Sequence, residues 1–280
     1  MRGKAALSAS VALALEVLAT PKSGNVDRFH DFEDLRLHDF IISSICSLPT
    51  FMKLEANEIG VGEAVYEAIK TSVEYHGEKN VHFGAFLLLS PLVASRGDVE
   101  SAFKIIKSSD WKQCLFIYKA FKLVSPRVLK AENFDLREDK TEEEIKRETL
   151  SLYEWMMRAP KENVVAKELT HKYELSRFCK ERILFWAKRF GFERAIVVAY
   201  HELLSRVLDP LIIAKHGIDE AKRVKEMAKN CLEEFKEVEN FSIFMEFDEI
   251  LIERKVNPGS VADLTAAGIY LSLMEGVEIA

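Results

Sequence analysis

The side chains best suited to chemistry are concentrated in a polar stretch that follows the first apolar segment, Thr20-Pro21-Lys22-Ser23-Gly24-Asn25-Val26-Asp27-Arg28. Arg28 could bind a phosphate through two hydrogen bonds, Lys22 could act as a point charge, and Asp27 could hold Mg²⁺ or take a proton. Pro21 and Gly24 prevent a continuous helix, because proline lacks a donor and glycine allows turns that other residues avoid. The alternative reading is a polar loop between two helices.

A second polar turn, Asn80-Val81-His82-Phe83-Gly84, precedes a segment that is apolar on nearly every side. Asn80 could cap the helix that follows, and the first N–H groups of that helix would favour an anion. His82 lies two residues away, so both side chains could face one ligand. A capping asparagine beside a partly buried histidine explains the pattern equally well.

The third candidate is the segment around Asp209 and Pro210, which lies within a predicted apolar helix. A proline at such a position frees backbone carbonyls and produces a kink, which often forms the wall of a pocket. Lys215 stands near the end of the same helix, before Gly217. A cation there could bind a phosphate, but it also suits the helix dipole and a simple helix ending.

The fourth candidate is the turn Asn257-Pro258-Gly259-Ser260, which precedes the last predicted helix. Ser260 at the helix start and Asp263 three residues later resemble a capping box. Asp263 could instead reach into a site as a metal ligand or a base. The local sequence leaves both readings open.

Composition limits the classes of protein that the chain can belong to. It has 280 residues, 48% of them hydrophobic and 30% charged, with a formal charge of −6. An acidic chain is not expected to bind nucleic acid or anionic membranes generally, because that affinity depends on a basic surface. The four cysteines are scattered and lack the spacing of a zinc site. No segment approaches the roughly 20 apolar residues of a membrane span, and Glu16 interrupts the apolar N-terminal run, which we interpret as a helix rather than a signal peptide. We expect a cytoplasmic protein.

Helical periodicity predicts an all-α fold, formed as a single compact multi-helix domain over residues 1–280. Gly60 and Gly62 at the start of the third helix indicate either a close backbone approach or a loose first turn, and the charged segment 130–147 is typical of an exposed connection. The first helix is expected to carry one face composed of Leu7, Val11, Leu15 and Leu18. The predicted helices cover residues 5–19, 35–48, 58–76, 81–95, 98–107, 110–124, a segment that starts after 141, 150–158, 161–190, 193–216, 219–238, 241–255 and 260–275.

In their order and spacing, the four polar turns resemble the triphosphoribosyl-dephospho-CoA synthase family over essentially the whole chain. The family pattern Glu-Val-x-x-x-Pro-Lys-Pro-Gly-x-Val-Asp-Arg is similar to the segment from Glu16 to Arg28. Three further patterns, Asn-Thr-x-x-Gly, Lys-x-Gly and Pro-Gly-x-x-Ala-Asp-Leu, are similar to residues 80–84, 215–217 and 258–264. Gly62-Glu63 precedes the second pattern, as it does in the family.

The resemblance implies an enzyme that joins ATP to 3′-dephospho-CoA. In this reaction a ribose hydroxyl of 3′-dephospho-CoA displaces adenine from C1 of the ATP ribose. Such chemistry needs a carboxylate near the developing sugar charge, a base for the hydroxyl, and cations or Mg²⁺ for the triphosphate. The implied catalytic residues are Asp27, Glu63 and Asp263, and the implied Mg²⁺ ligands are Asp27, Glu63 and Asp209. The implied ligands of ATP and its phosphates are Lys22, Gly24, Arg28, Asn80, His82 and Lys215.

The chain also departs from the family pattern at several positions. Ser23 replaces the second proline of the first motif, and Val81 replaces a threonine. Arg127-Val128 stands where the archaeal-type branch, which the chain otherwise resembles most, carries Gly-Gly. Two alternatives therefore stay open: a diverged relative that acts on another acceptor in cofactor biosynthesis, and a non-catalytic nucleotide-binding helical protein. A homodimer is also left open.

Overall fold

The computed structural model describes residues 3–279, and every regular element in that range is an α-helix. The predicted all-α fold is therefore confirmed. In chain order the helices are α1 (Lys4–Leu18), α2 (Leu37–Glu55), α3 (Val61–His76), α4 (Phe83–Ala94), α5 (Val99–Ser108), α6 (Trp111–Val124), α7 (Lys140–Glu148), α8 (Leu152–Met156), α9 (Val164–Thr170), α10 (Glu174–Phe190), α11 (Phe192–Leu204), α12 (Pro210–His216), α13 (Ile218–Val238), α14 (Ser242–Glu253) and α15 (Gly259–Met274). None of these described helices has both the length and the apolar character of a membrane span.

Helix α15 lies at the centre of the fold, where it packs against α1, α4, α10 and α11. Its side chains are buried on nearly every side, as are those of α4, because an apolar helix must be surrounded by others. Small residues allow the close approach: a Cβ atom on Gly268 would stand 2.6 Å from the Sγ atom of Cys179 on α10. The prediction that α4 is buried all round is confirmed.

Helix α1 is confirmed, but the leucine-rich face does not form its buried side. Leu7 is 53% exposed, and Val11, Leu15 and Leu18 are only partly buried. Because α1 packs between α2 and α15, its alanines form the contact surface. The buried residues are Ala5, Ala6, Ala9, Ser10, Ala12, Leu13, Glu16 and Val17. A carboxylate therefore lies on the buried face of the first helix.

The single helix predicted over residues 161–190 is wrong, because the structure divides it into α9 and α10. Tyr173 breaks the helix with a left-handed backbone φ of 56°. The buried carboxylate of Glu168 then accepts hydrogen bonds from the N–H groups of Leu175 and Ser176, each at 2.8 Å. These bonds satisfy N–H groups at the start of α10 that have no partner within the helix.

The single helix predicted over residues 193–216 is also wrong, because α11 and α12 are separate. Pro210 does not kink a continuous helix; it occupies the first turn of α12, where its missing N–H has no cost. Asp209 is the N-cap, and its Oδ1 atom accepts hydrogen bonds from the N–H groups of Leu211 at 2.8 Å and Ile212 at 3.1 Å. The helix break thus places a buried carboxylate beside Pro210.

Several smaller expectations are also settled. Helix α2 continues through Pro49 to Glu55, because the last turn buries Phe51 and Leu54 and thereby offsets the lost backbone hydrogen bond. Helix α7 begins within two residues of its predicted start, and α8 begins and ends within two residues of its predicted bounds. The close approach at the start of α3 is confirmed: a Cβ atom on Gly62 would lie 2.1 Å from the backbone oxygen of Gln113 on α6.

Candidate active site

A cleft of about 1150 Å³, counting its open mouth, lies where residues from all four polar turns meet. We call it the central cleft. Its polar and charged lining residues are Glu16, Asn25, Asn80, His82, Arg127, Asn163, Asn257, Ser260 and Asp263. The remaining lining is mostly apolar, and Pro210 contributes to the wall. A concave, mostly apolar site with a few convergent polar groups is typical of small-ligand binding.

Glu16 lines the central cleft, and its Oε1 atom lies 2.5 Å from the Nζ atom of Lys22. Lys22 is 0% exposed and also donates to the backbone oxygen of Val26 at 3.2 Å. Burial raises the pKa of Glu16, whereas the Lys22 ammonium acts to lower it and so favours the ionised carboxylate. The predicted phosphate ligand Lys22 is therefore a buried partner of Glu16 and does not itself line the cleft.

Asp27 organises the backbone of the first polar turn. Its Oδ1 atom accepts hydrogen bonds from the N–H groups of Phe29 at 2.9 Å and His30 at 3.1 Å. Its Oδ2 atom accepts one from the hydroxyl of Thr20 at 2.5 Å. Asp27 is buried and does not line the central cleft. Its predicted catalytic role stays a prediction, which would require the carboxylate to act from behind the cleft wall.

The three predicted Mg²⁺ ligands, Asp27, Glu63 and Asp209, are not brought together. Within residues 3–279, the closely spaced group of metal-ligand side chains is instead Asp27, His30 and Asp248. The Nδ1 atom of His30 lies 2.7 Å from a carboxylate oxygen of Asp248. Glu63 lies in the first turn of α3, away from this group and outside the cleft lining.

Gly24 and Arg28, two of the predicted phosphate ligands, make contacts within the protein. Gly24 has a φ of 77°, and its N–H donates to Asp248 at 2.8 Å. A Cβ atom at this position would stand 2.4 Å from the backbone oxygen of Val256, so the turn needs glycine for packing. Arg28 is partly exposed and forms an ion pair with Glu193 at 2.9 Å. Neither residue lines the central cleft.

Asn80 and His82, at the start of α4, both line the central cleft. The Nδ1 atom of His82 lies 3.0 Å from the hydroxyl of Ser43, and its ring is edge-on to Phe40. Burial lowers the pKa of His82 to about 3, so its ring is neutral near pH 7. A neutral imidazole is suited to hydrogen bonding rather than to neutralising a phosphate.

Asp263 lies against the N-terminus of α4 and lines the central cleft. A Cβ atom on Gly84 would stand 2.1 Å from its Oδ2 atom, so the carboxyl group lies against the first turn of α4. The place at the start of α4 where the sequence predicts a bound anion is therefore occupied by a side chain of the protein itself. Burial, reinforced by the negative charges of Glu16 and Asp209, raises the pKa of Asp263 well above its ordinary value.

Asp209 links two helices below the cleft wall. Besides capping α12, it accepts a hydrogen bond from the N–H of Val261 at 2.9 Å. It thus satisfies a donor at the start of α15, where Pro258 is the N-cap and the predicted capping box of Ser260 does not form. Burial raises the pKa of Asp209 to about 6. The carboxylate does not line the cleft, and Lys215, the other predicted residue of this segment, lies outside the lining as well.

Four buried polar atoms without a hydrogen-bond partner in the described chain belong to residues that line the central cleft. They are Asn25 Nδ2, Asn80 Oδ1, His82 Nε2 and Asn257 Oδ1. Leaving a buried polar atom unpaired costs about 1–3 kcal/mol. Four such atoms around one cleft therefore indicate a surface that a polar ligand would complete.

Several residues that line the cleft are not among the predicted site residues, and they include Glu16, Asn25, Asn257 and Arg127. A usable signal existed for Glu16, because it is the only charged residue in the apolar segment 5–19. A lone acid in an apolar helix either snorkels to the surface or marks a buried site. No comparable local signal distinguishes the two asparagines from ordinary turn residues.

Buried carboxylates and unpartnered amides around a cleft in an all-α scaffold define a helical enzyme with a site for a polar small molecule. Over residues 2–279 the chain matches the family described as ATP:dephospho-CoA triphosphoribosyl transferase, and it belongs to this family of transferases. The predicted resemblance is thereby confirmed.

One solved structure extends the comparison. It is a crystal structure from Archaeoglobus fulgidus, provisionally described as a triphosphoribosyl-dephospho-CoA synthase, with 35% sequence identity and a TM-score of 0.71. The alignment covers 84% of this chain and 99% of that one. A comparison with curated protein sequences gave no significant match.

Proposed function

We propose that this chain transfers the 5-triphosphoribosyl group of ATP to 3′-dephospho-CoA, or to a related coenzyme acceptor, and releases adenine. The observation that carries this proposal is the presence of two carboxylates, Glu16 and Asp263, in one cleft with unpartnered amide and imidazole groups. Family membership supports the identity of the substrates. The cleft offers the types of side chain that the reaction needs.

In the first half of the proposed reaction, the bond between C1′ of the ATP ribose and N9 of adenine breaks, and its electron pair leaves with adenine. The ribose carbon gains positive charge, which a nearby carboxylate stabilises, as in glycoside hydrolysis. Glu16 suits this role because Lys22 favours its ionised form. Asp263 suits the role of proton donor to adenine, because its raised pKa favours the protonated carboxyl.

In the second half, the oxygen of an acceptor ribose hydroxyl forms the new bond to C1′. The hydroxyl proton passes to Glu16, which has remained ionised. One proton has then left Asp263 for adenine, and one has reached Glu16 from the acceptor. Exchange of protons with solvent restores both carboxyl groups, so that the triphosphoribosyl acceptor and neutral adenine are the products.

The unpartnered polar atoms suit the uncharged parts of ATP. Asn80 Oδ1 and His82 Nε2 could pair with the polar edge of adenine or with ribose hydroxyls. Asn25 and Asn257 offer one donor and one acceptor more. Because His82 is neutral, we assign Asn80 and His82 to the nucleoside part of ATP rather than to its phosphates.

Family chemistry also implies Mg²⁺, and the described donors do not fit a resident ion. Mg²⁺ prefers oxygen ligands that keep near-ideal octahedral geometry. The closest ligand group contains His30, and the carboxylates of Asp27 and Asp248 already accept hydrogen bonds from the backbone. We therefore treat Mg²⁺ as part of the MgATP substrate and give it no protein site.

The test measures adenine release. The purified protein is incubated with MgATP in the presence and absence of 3′-dephospho-CoA, and free adenine is quantified by chromatography. We expect adenine only with the acceptor, and in equal amount to the product. Asp263→Asn should lower kcat by about 100-fold or more, because the amide cannot supply the proton. The control Asp219→Asn changes an exposed acid on α13 and should retain full activity.

Two outcomes would replace the proposal. Adenine release with a different coenzyme acceptor, and none with 3′-dephospho-CoA, would identify the chain as a diverged relative. ATP-dependent thermal stabilisation without adenine release from any acceptor would identify a non-catalytic nucleotide-binding protein. Full activity of Asp263→Asn would remove Asp263 from the mechanism even if the overall reaction is confirmed.

A further inference from the structure

Arg127 lines both the central cleft and a neighbouring cavity of about 790 Å³, counting its open part. We call this second space the basic cavity and define its charged lining as Lys122, Arg127 and Arg137. None of the described residues that line it is acidic. The segment after α6 therefore presents a guanidinium group at the junction between the two spaces.

The cations of the basic cavity differ in how their charges are compensated. Lys122 pairs with Asp139 at 2.7 Å, and Arg137 pairs with Asp135 at 2.5 Å. Arg127 forms no ion pair and no hydrogen bond with any residue in the range 3–279. Its positive charge is therefore left for solvent or for a ligand.

Lys215, on α12, is a second cation next to the lining of the basic cavity. It follows Ala214, which lines the basic cavity, and it is half-buried. Burial lowers the pKa of Lys215, and the positive charge of Arg127 lowers it further, whereas Asp34 and Asp209 act in the opposite direction. Neither acid forms an ion pair with Lys215 among the described residues. A guanidinium without an ion-pair partner, with a lysine next to the lining of the same cavity, indicates a place for an anion.

We propose that Arg127 and Lys215 form the subsite that binds the polyphosphate chain of a substrate, at the junction of the central cleft and the basic cavity. This inference rests on the proposed function for the identity of the substrates, both of which carry such a chain. Arg127 can grip a phosphate group through two parallel hydrogen bonds, and Lys215 contributes a point charge.

The charge distribution of the cleft supports this placement. Glu16 lines the cleft as a carboxylate, and a phosphate chain beside it would meet like charge. Because the phosphates must lie away from Glu16, the arginine at the junction is the cation best placed to receive them. Of the cations that the family resemblance implies as phosphate ligands, Lys22 and Arg28 each already pair with a carboxylate of the protein, whereas Lys215 forms no such pair among the described residues.

The test uses the full chain and inorganic tripolyphosphate as the probe, with binding measured by isothermal titration calorimetry. We expect Arg127→Gln and Lys215→Gln each to weaken binding about tenfold or more, because each removes a charge-assisted hydrogen bond. The matched control is Lys130→Gln, a nearby exposed lysine outside both linings, which should leave the affinity unchanged within about twofold. Equal affinity of the wild type and the double variant, or no binding by the wild type, would overturn the subsite.

Steady-state kinetics then identify the substrate that supplies the phosphates. A raised KM for ATP with unchanged kcat assigns the subsite to the triphosphate, and a raised KM for 3′-dephospho-CoA assigns it to the diphosphate of the acceptor. Unchanged KM values for both substrates would overturn the proposal even if tripolyphosphate binds. If the wild type releases no adenine, the proposed function fails, while the tripolyphosphate measurement still decides whether the subsite exists.

Discussion

Replacing Lys22 by methionine tests whether a buried ion pair holds Glu16 in place. The side chains of Lys22 and Glu16 are 0% and 4% exposed, and their charged atoms are 2.5 Å apart. Methionine keeps much of the lysine volume but leaves Glu16 without its cation. We expect the variant to fold with reduced stability and to lose activity, because an uncompensated carboxylate in this position becomes protonated.

The size of the effect follows from the burial of both groups. Removal of one partner of a buried ion pair costs about 3–5 kcal/mol, because the remaining charge has neither water nor a counterion. The double variant Glu16→Gln with Lys22→Met contains no charge and should recover about 2–3 kcal/mol of that loss. Such a coupling energy is a large part of the stability of a typical domain, which is about 5–15 kcal/mol.

The pH dependence gives a second, independent readout. Burial already raises the pKa of Glu16 above 4.5, and Lys22 is the group that opposes this shift most strongly. Without Lys22 the pKa rises further, so the penalty is full at high pH and disappears as the pH falls through the folded-state pKa. Urea unfolding followed by circular dichroism should therefore show a larger loss for Lys22→Met at about pH 8 than at about pH 5.5.

A cost of less than about 1 kcal/mol for Lys22→Met would contradict the claim that Lys22 compensates the buried charge of Glu16. A double variant that is no more stable than the single one would contradict it as well. Either result would mean that Glu16 finds compensation from water in the cleft. An unchanged rate of adenine release in Lys22→Met would show that the ionised state of Glu16 does not depend on this lysine.

Two glycine substitutions test the packing behind the cleft. Gly84→Ala places a methyl group against Asp263. The rate of adenine release should therefore fall about tenfold or more, while the urea midpoint changes little. An unchanged rate would contradict the placement of the Asp263 carboxyl group. Gly24→Ala adds a left-handed φ penalty and a clash with the backbone oxygen of Val256, and it should cost about 2–4 kcal/mol in urea unfolding. Gly77→Ala is its control for backbone strain, because Gly77 has the same φ of 77° and nothing within 4 Å of an added Cβ, and it should cost about 1–3 kcal/mol without the clash. Equal losses in these two variants would show that the contact with Val256 is not tight.

Features set by local chemistry could be predicted from the sequence. Asp98 and Asp110 are the first residues of two predicted helices, and both are N-caps: Asp98 accepts a hydrogen bond from one N–H group in the first turn of its helix, and Asp110 accepts from two. The break at Tyr173 has no such signal, since neither glycine nor proline stands there. Its cause is tertiary, because the buried Tyr173 donates a hydrogen bond to the backbone oxygen of Leu88 at 3.0 Å. The local periodicity of the sequence carries no information about a contact between residues so far apart in the chain.

The site shows the same division between local and tertiary information. The order of the four polar turns indicated that they belong to one site, and residues from all four line the cleft. The sequence did not determine which side chains face it. Asp27 lies in the most polar turn, but the N–H groups of that turn occupy its oxygens. Glu16 lies in an apolar helix, and only the packing of α1 against α15 directs it into the cleft wall.

Ser23, where the family pattern has proline, is best explained by packing rather than by a changed reaction. It is fully buried, and its hydroxyl lies 2.7 Å from Nε2 of His201 and 3.0 Å from the backbone oxygen of Phe244. The Nδ1 atom of His201 lies 2.7 Å from the backbone oxygen of Val197 and must donate to it. Nε2 of the neutral ring is therefore an acceptor, and burial lowers the pKa of His201 to about 3, which agrees with a neutral ring.

Ser23→Ala should accordingly act on stability and leave the chemistry unchanged. The variant leaves Nε2 of His201 buried without a donor, which should cost about 1–3 kcal/mol in urea unfolding. The KM values for ATP and the acceptor should not change, because Ser23 does not line the central cleft. A variant with wild-type stability and an altered KM would instead place Ser23 in the substrate site. In that case the departure from the family pattern would mark a change of substrate, because no loss of packing would accompany it.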